Sequence, residues 1–215
     1  MSEMCATLHR LCGGMTIFSF SFDQTMIPLN GIYVLFEDGE KAHGASRIVR
    51  VGTHTGDNQL RSRLEQHFTN PNKDRSIFRK NIGRALLNRD HDPFLAQWDL
   101  DLTSSEAKRR YGPALDREKQ STVEQRVSDY IRRSFHFVVF SVEYKETRLD
   151  LEAKMISTVS ICQECVPSKD WLGFHSPKDR IRESGLWLVN KLYGEQLSDA
   201  DLAILEAARR PEASR

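Results

Sequence analysis

The sequence predicts an α+β fold with a small, partly antiparallel sheet. Three observations carry this. Apolar runs of strand length stand at 16–22, 32–36 and 135–142. Stretches with apolar residues at helical spacing lie between and after them. The order is strands, helices, one returning strand and more helices, which is an α+β order rather than an alternating one.

Residues 16–22, Thr-Ile-Phe-Ser-Phe-Ser-Phe, alternate with period two and predict a strand. Pro28-Leu29-Asn30-Gly31 breaks the chain, and Ile32–Phe36 reads as a buried strand. A polar turn follows, and Arg47–Val51 returns, so 31–52 predicts a hairpin with a long loop. Asn58 is the expected cap of a helix whose apolar stripe is Leu60, Leu64 and Phe68. Ser76 is the expected cap of a second helix over 76–88. Residues 117–133 place Val123, Val127 and Ile131 on one helical face. Phe135–Val142 is the clearest strand, and a helix is expected from Leu149 to about Ile161. Further helices are expected near 180–192 and 198–209. The plan is one domain over 1–215, with a core at about 29–165, an insertion at 89–134 and a helical extension at 166–215.

A chain of 215 residues can bury a core without staples. Apolar residues at 39% and charged residues at 28% exclude wholesale disorder. No apolar run approaches the ~18–20 residues of a membrane span. Glu3, His9 and Arg10 interrupt the stretch a signal peptide needs. A soluble cytoplasmic protein is therefore expected, with no membrane partner. Four cysteines are present, and Cys162-Gln163-Glu164-Cys165 is a lone C-x-x-C. Zinc sites usually need four close ligands, and Cys5 and Cys12 fall in an N-terminus expected to fray, so reduced thiols are the preferred reading over zinc.

Three charged features stand out. The net charge is only +1, yet residues 58–91 carry +5. Their cations include Arg61, Arg63, Lys73, Arg75, Arg79, Lys80 and Arg84. Two solvated helix faces would explain them, and so would a phosphate-binding surface. Within this segment Arg63 and His67 are four residues apart and share a face, whereas Arg61 points away. Second, Glu152 falls among Leu149, Met155, Ile156 and Val159 on an apolar helix face, where a carboxylate needs an Arg, hydrogen-bond donors or a metal. Third, Arg50 sits inside an otherwise apolar strand and must snorkel, pair with an acid or face a phosphate.

Gly31-Ile32-Tyr33, then Arg50-Val51-Gly52, then Arg63-Leu64-Glu65-Gln66-His67, and finally Glu152, together resemble the GIY-YIG nuclease domain. The resemblance covers 29–84 and 135–160 best. It implies a three-stranded antiparallel sheet flanked by helices and a metal-dependent endonuclease acting on nucleic acid, most simply DNA, in restriction, defence or repair. It implies Tyr33, Arg63, His67 and Glu152 as catalytic residues, with Glu152 as the ligand of Mg²⁺ or Mn²⁺. Arg61, Lys73, Arg75, Arg79, Lys80 and Arg84 are then the expected nucleic-acid contacts. Arg50 replaces the tyrosine of the second motif, Thr53 replaces a frequent lysine, and the asparagine that often follows the glutamate has no near counterpart, Asn190 being the closest downstream. A phenol is a weak base near neutral pH, so Arg50 joins the catalytic set as the cation expected to favour the anion of Tyr33. The alternative is a nucleic-acid-binding module that has lost catalytic power, with Arg50 as its mark.

Overall fold

Four antiparallel strands run in the order β1-β4-β2-β3 in the computed structural model, which describes residues 3–209. The strands are β1 (Phe18–Ser19), β2 (Ile32–Ala42), β3 (Ala45–Gly52) and β4 (Phe135–Phe140). The α+β class holds, but the sheet has four strands rather than three. The expected strand over 16–22 contracts to two residues, which pair with Phe137 and His136 at the sheet edge. β2 and β3 form the expected hairpin, with Tyr33 opposite Gly52 and Leu35 opposite Arg50, but its loop is only His43-Gly44 rather than long, because both strands extend through the polar stretch to pair Ala42 with Ala45.

The helices are α1 (Glu3–Gly13), α2 (Leu60–Phe68), α3 (Ile77–Arg89), α4 (Leu95–Trp98), α5 (Ser105–Tyr111), α6 (Arg117–Ser134), α7 (Lys145–Ile161), α8 (Asp179–Ser184) and α9 (Asp199–Ala208). Both sheet faces are covered. Tyr33 and Leu35 face a cluster built with Leu64, Phe68, Phe78, Val127 and Trp187. Ile32, Val34 and Phe36 face a second cluster built with Leu8, Leu151, Met155 and Leu205. Burial on both faces explains why Ile32–Phe36 is continuously apolar instead of alternating.

Several local expectations shift. Ser76 caps α3, accepting the Arg79 amide, as its position before the apolar stripe requires. Asn58 is not a cap. It takes a left-handed φ of 58°, Gln59 stands at the helix entry, and the two amide side chains of Asn30 and Asn58 bond to each other at 3.0 Å. The N-terminus does not fray: α1 packs onto β3 and α7 and buries Cys5, Leu8 and Cys12. The helix expected over 180–192 stops at Ser184, because Gly185 takes a left-handed φ of 68° and terminates it. Among the described residues no helix is long and apolar enough to cross a membrane.

Candidate active site at the end of the β2–β3 hairpin

The two motif glycines exist because of close approaches. A Cβ at Gly31 would run into the carbonyl oxygen of Phe140, and a Cβ at Gly52 would run into the hydroxyl of Tyr33. Glycine at 52 therefore makes room for the phenol that the opposite strand delivers. Just beyond, the Thr53 hydroxyl donates to the Gly31 carbonyl at 2.7 Å, tying the start of β2 to the end of β3. The Thr53 amide donates to Oε1 of Glu152 at 3.1 Å. His54 closes the corner by hydrogen bonds from the Gly31 amide (3.4 Å) and to the Gly56 carbonyl (2.6 Å). Partial burial lowers the basicity of His54. His54 and the Glu152–Thr53 bond are features the sequence did not single out, although His54 stands two residues beyond the motif glycine.

Behind this corner lies a buried polar chain. Tyr33 and His67 have no solvent exposure. The Tyr33 hydroxyl is 2.7 Å from Nε2 of His67, and Nδ1 of His67 is 2.7 Å from Oγ of Ser76. Burial first, then the charges of Arg63, Arg50 and Arg79, hold His67 well below its ordinary pKa, so it is neutral. Ser76 Oγ also accepts the Arg79 amide. The tautomer of His67 sets the direction of both bonds: with hydrogen on Nδ1 the Tyr33 hydroxyl donates to Nε2 and Ser76 accepts, and with hydrogen on Nε2 both directions reverse.

Arg63 reaches the open side of α2. Its Nη1 donates to Oε1 of Gln66 at 2.9 Å and to the Arg75 carbonyl at 3.1 Å. It borders a cavity of about 280 Å³ that it shares with Thr53, His54, Gln59 and Gln66. The cavity thus touches the residue whose amide holds Glu152. Arg50 does not face it. Its Nη1 donates to the Trp187 carbonyl at 2.6 Å and its guanidinium lies over the Phe78 ring. Its charge falls on His67 rather than on an acid or an open phosphate site.

Glu152 is 13% exposed, and its Oε2 pairs with Nζ of Lys191 at 2.5 Å. Lys191 comes from the C-terminal extension, 39 residues away, and nothing in the sequence pattern pointed to it. A partly exposed carboxylate, with one oxygen held by a backbone amide and a half-exposed lysine on the other, is an oxygen donor suited to Mg²⁺ or Mn²⁺, which fill most of their shell with water and substrate.

Four expected phosphate contacts are instead structural, and this corrects the reading of the basic segment. Arg79 is fully buried and donates to Glu124 (2.8 Å) and Ser128 (2.7 Å). Lys73 and Lys80 converge on the Leu100 carbonyl and on Asp74. Arg84 binds Asp99 at 2.5 Å and Asn81 at 2.7 Å. Burial with internal partners removes them from any surface. Arg61 is half-buried and bound to the Ile27 carbonyl, whereas Arg75 is exposed. Arg75 shares a cleft of about 480 Å³ with Lys108 and Arg117, two exposed cations of the 89–134 segment.

The antiparallel hairpin of this α+β domain brings a tyrosine, a histidine, an arginine and a glutamate near one strand end. A family model described as a GIY-YIG domain matches residues 2–213, nearly the whole chain, and the chain belongs to the GIY-YIG nuclease family. Comparison with curated proteins and with solved structures gives no match.

Proposed function

We propose that the protein is a metal-dependent endonuclease that hydrolyses phosphodiester bonds of DNA, in restriction, defence or repair. One observation carries this reading: Tyr33 and Glu152, far apart in sequence, meet the same Gly52–Thr53 strand end, one with its hydroxyl packed against Gly52 and one by accepting a hydrogen bond from the Thr53 amide. Glu152 would hold Mg²⁺ or Mn²⁺, which supplies charge to polarise the phosphate and stabilise the leaving oxygen. Arg63, at the cavity beside Thr53, stabilises negative charge on the pentavalent phosphorus. Tyr33 relays a proton. Its oxygen gains the proton of the attacking water while its own hydrogen passes to Nε2 of His67. The surrounding cations make the resulting imidazolium strongly acidic, so it returns the proton through Tyr33 to the leaving oxygen. Arg50 acts on this relay through His67. The exposed trio Arg75, Lys108 and Arg117 tracks the backbone phosphates.

A second reading is a binding module with weakened catalysis. Two observations favour it: Lys191 neutralises Glu152, and Tyr33 is fully enclosed. Supercoiled plasmid and single-stranded oligonucleotides incubated with Mg²⁺, Mn²⁺ or EDTA distinguish the two. Nicking that EDTA abolishes supports the nuclease. Salt-sensitive binding with no cleavage under any metal supports the binding module.

A further inference from the structure

On the sheet face opposite Tyr33, three thiols and two imidazoles gather from three separate parts of the chain. Cys5 lies on α1, His43 at the β2–β3 turn, and Cys162 and Cys165 just past α7. The Sγ atoms of Cys5 and Cys165 are 3.4 Å apart, well beyond a covalent S–S bond. Sγ of Cys162 is 3.3 Å from Nε2 of His43. The ligand atoms of Cys5, His9, His43 and Cys165 all lie within 4.8 Å of one another. A tetrahedron with Zn–S bonds of about 2.3 Å and a Zn–N bond of about 2.0–2.1 Å has edges of roughly 3.6–3.8 Å. The Cys5–Cys165 and Cys162–His43 separations lie slightly inside those edges, and Sγ of Cys165 is also 3.8 Å from Nε2 of His9. The three cysteines are each at most 8% exposed.

We propose that Cys5, Cys162, Cys165 and His43 bind a structural Zn²⁺ ion that pins α1 and the β2–β3 turn to the end of α7. The C-x-x-C spacing supplies two ligands from one turn, and the other two come from 119 and 160 residues away in the chain. His43 has the environment of a ligating imidazole: Nε2 faces the sulfurs, while Nδ1 is 3.5 Å from Oε2 of Glu164, a carboxylate that sets the tautomer. His9 is nearby but committed. Its Nδ1 donates to the Cys5 carbonyl at 2.9 Å and its Nε2 accepts the Ile48 amide at 3.2 Å. Ligation by Nε2 of His9 would orphan a buried strand amide. His9 therefore walls the site and orients the Cys5 backbone.

Metal analysis of the purified full chain, together with Co²⁺ exchange, tests this. The expected result is one zinc per chain, with thiolate-to-cobalt charge-transfer and tetrahedral ligand-field bands after exchange. Cys162→Ser and His43→Ala should each weaken zinc retention against a chelator by about tenfold or more. Cys12→Ser and His9→Gln should retain the ion, because Cys12 belongs neither to the group of Cys5, His9, His43 and Cys165 nor to the Cys162–His43 contact, and His9 is spent on backbone groups. Unfolding of a variant does not obscure the result, since the cobalt spectrum is read on the unaltered chain. A wild-type protein with no zinc and no tetrahedral cobalt spectrum overturns the site, as does a Cys5–Cys165 disulfide in protein purified without oxidant. Loss of metal in His9→Gln with retention in Cys162→Ser overturns the donor set.

Discussion

The Tyr33 hydroxyl and Nε2 of His67 lie 2.7 Å apart in a pocket closed to solvent. This bond joins the first strand of the hairpin to α2, and in the proposed relay the two residues act as one unit. Tyr33→Phe and His67→Gln should each lower the cleavage rate by about 10²–10⁴-fold, the range of a positioned acid–base group. The double variant should be little worse than either single one, because residues acting as a unit are not additive. Single-turnover rates of the four proteins check this, and full additivity separates the two residues.

His67 also ties stability to pH. Its folded-state pKa is lowered by burial and by Arg63, Arg50 and Arg79, so below about pH 6.5 the unfolded chain binds a proton that the folded chain refuses. Stability is then level above that pH and falls as pH drops below it. His54 and His136, also lowered by burial, add in the same direction. Melting temperatures of wild type and His67→Gln from pH 5 to 8 should show a shallower acid slope in the variant. Arg50→Ala should move the His67 imidazole titration upward in NMR, because one repelling cation is gone.

Gly52→Ala places a methyl group against the Tyr33 hydroxyl and ring. Overpacking of this kind costs about 1–3 kcal/mol, and here it also displaces the phenol from His67. Chemical denaturation should show the loss of stability, with cleavage lost in protein that remains folded. Unchanged stability and activity would mean that the phenol does not need this space.

The cations of 58–91 should separate into two classes. Arg79→Ala strands the buried carboxylate of Glu124 and should cost about 3–5 kcal/mol of stability. Arg75→Ala with Lys108→Ala should leave stability nearly unchanged, weaken binding to all DNA sequences alike and flatten its salt dependence. Denaturation curves and a salt titration of binding are the two measurements.

Glu152→Gln keeps the side-chain shape and removes the charge. Cleavage should fall by about 10²–10³-fold while DNA binding persists. Lys191→Ala removes the cation paired with that carboxylate and should lower the metal concentration needed for half-maximal rate. An unchanged metal midpoint would mean that Lys191 does not compete for Glu152.

Local pattern carried much of the architecture. The hairpin was legible because Ile32–Phe36 is a continuous apolar run and Ile48, Val49 and Val51 return after a polar stretch, and the second cluster of Leu151, Met155 and Leu205 closes the face that Ile32, Val34 and Phe36 present. Ser76 was legible as a cap because capping is decided within one helical turn. The four-residue spacing puts Arg63 and His67 on one helix but not in one pair: Arg63 bonds Gln66 and the Arg75 carbonyl on the open side, and His67 turns inward to Tyr33 and Ser76. Gly185 was present as a stop signal but was overridden by the apolar spacing around it, so the helix over 180–192 was read too long.

What the sequence by itself determined is the hairpin, α2, α3, α6, β4 and α7, their order and the side chains brought near one strand end by short connections: Gly31, Tyr33, Gly52, Arg63 and His67. These follow from hydrophobic period, turn chemistry and helical spacing, which act over a few residues. Only the tertiary structure decided which charges are structural. Arg79 finds Glu124 at 45 residues' separation, Glu152 finds Lys191 at 39, and Cys5 reaches Cys165 across 160. A charge run reads the same in sequence whether it faces water or a buried acid. Burial and partner depend on how distant helices pack, and packing energy is a property of the assembled core rather than of any single segment.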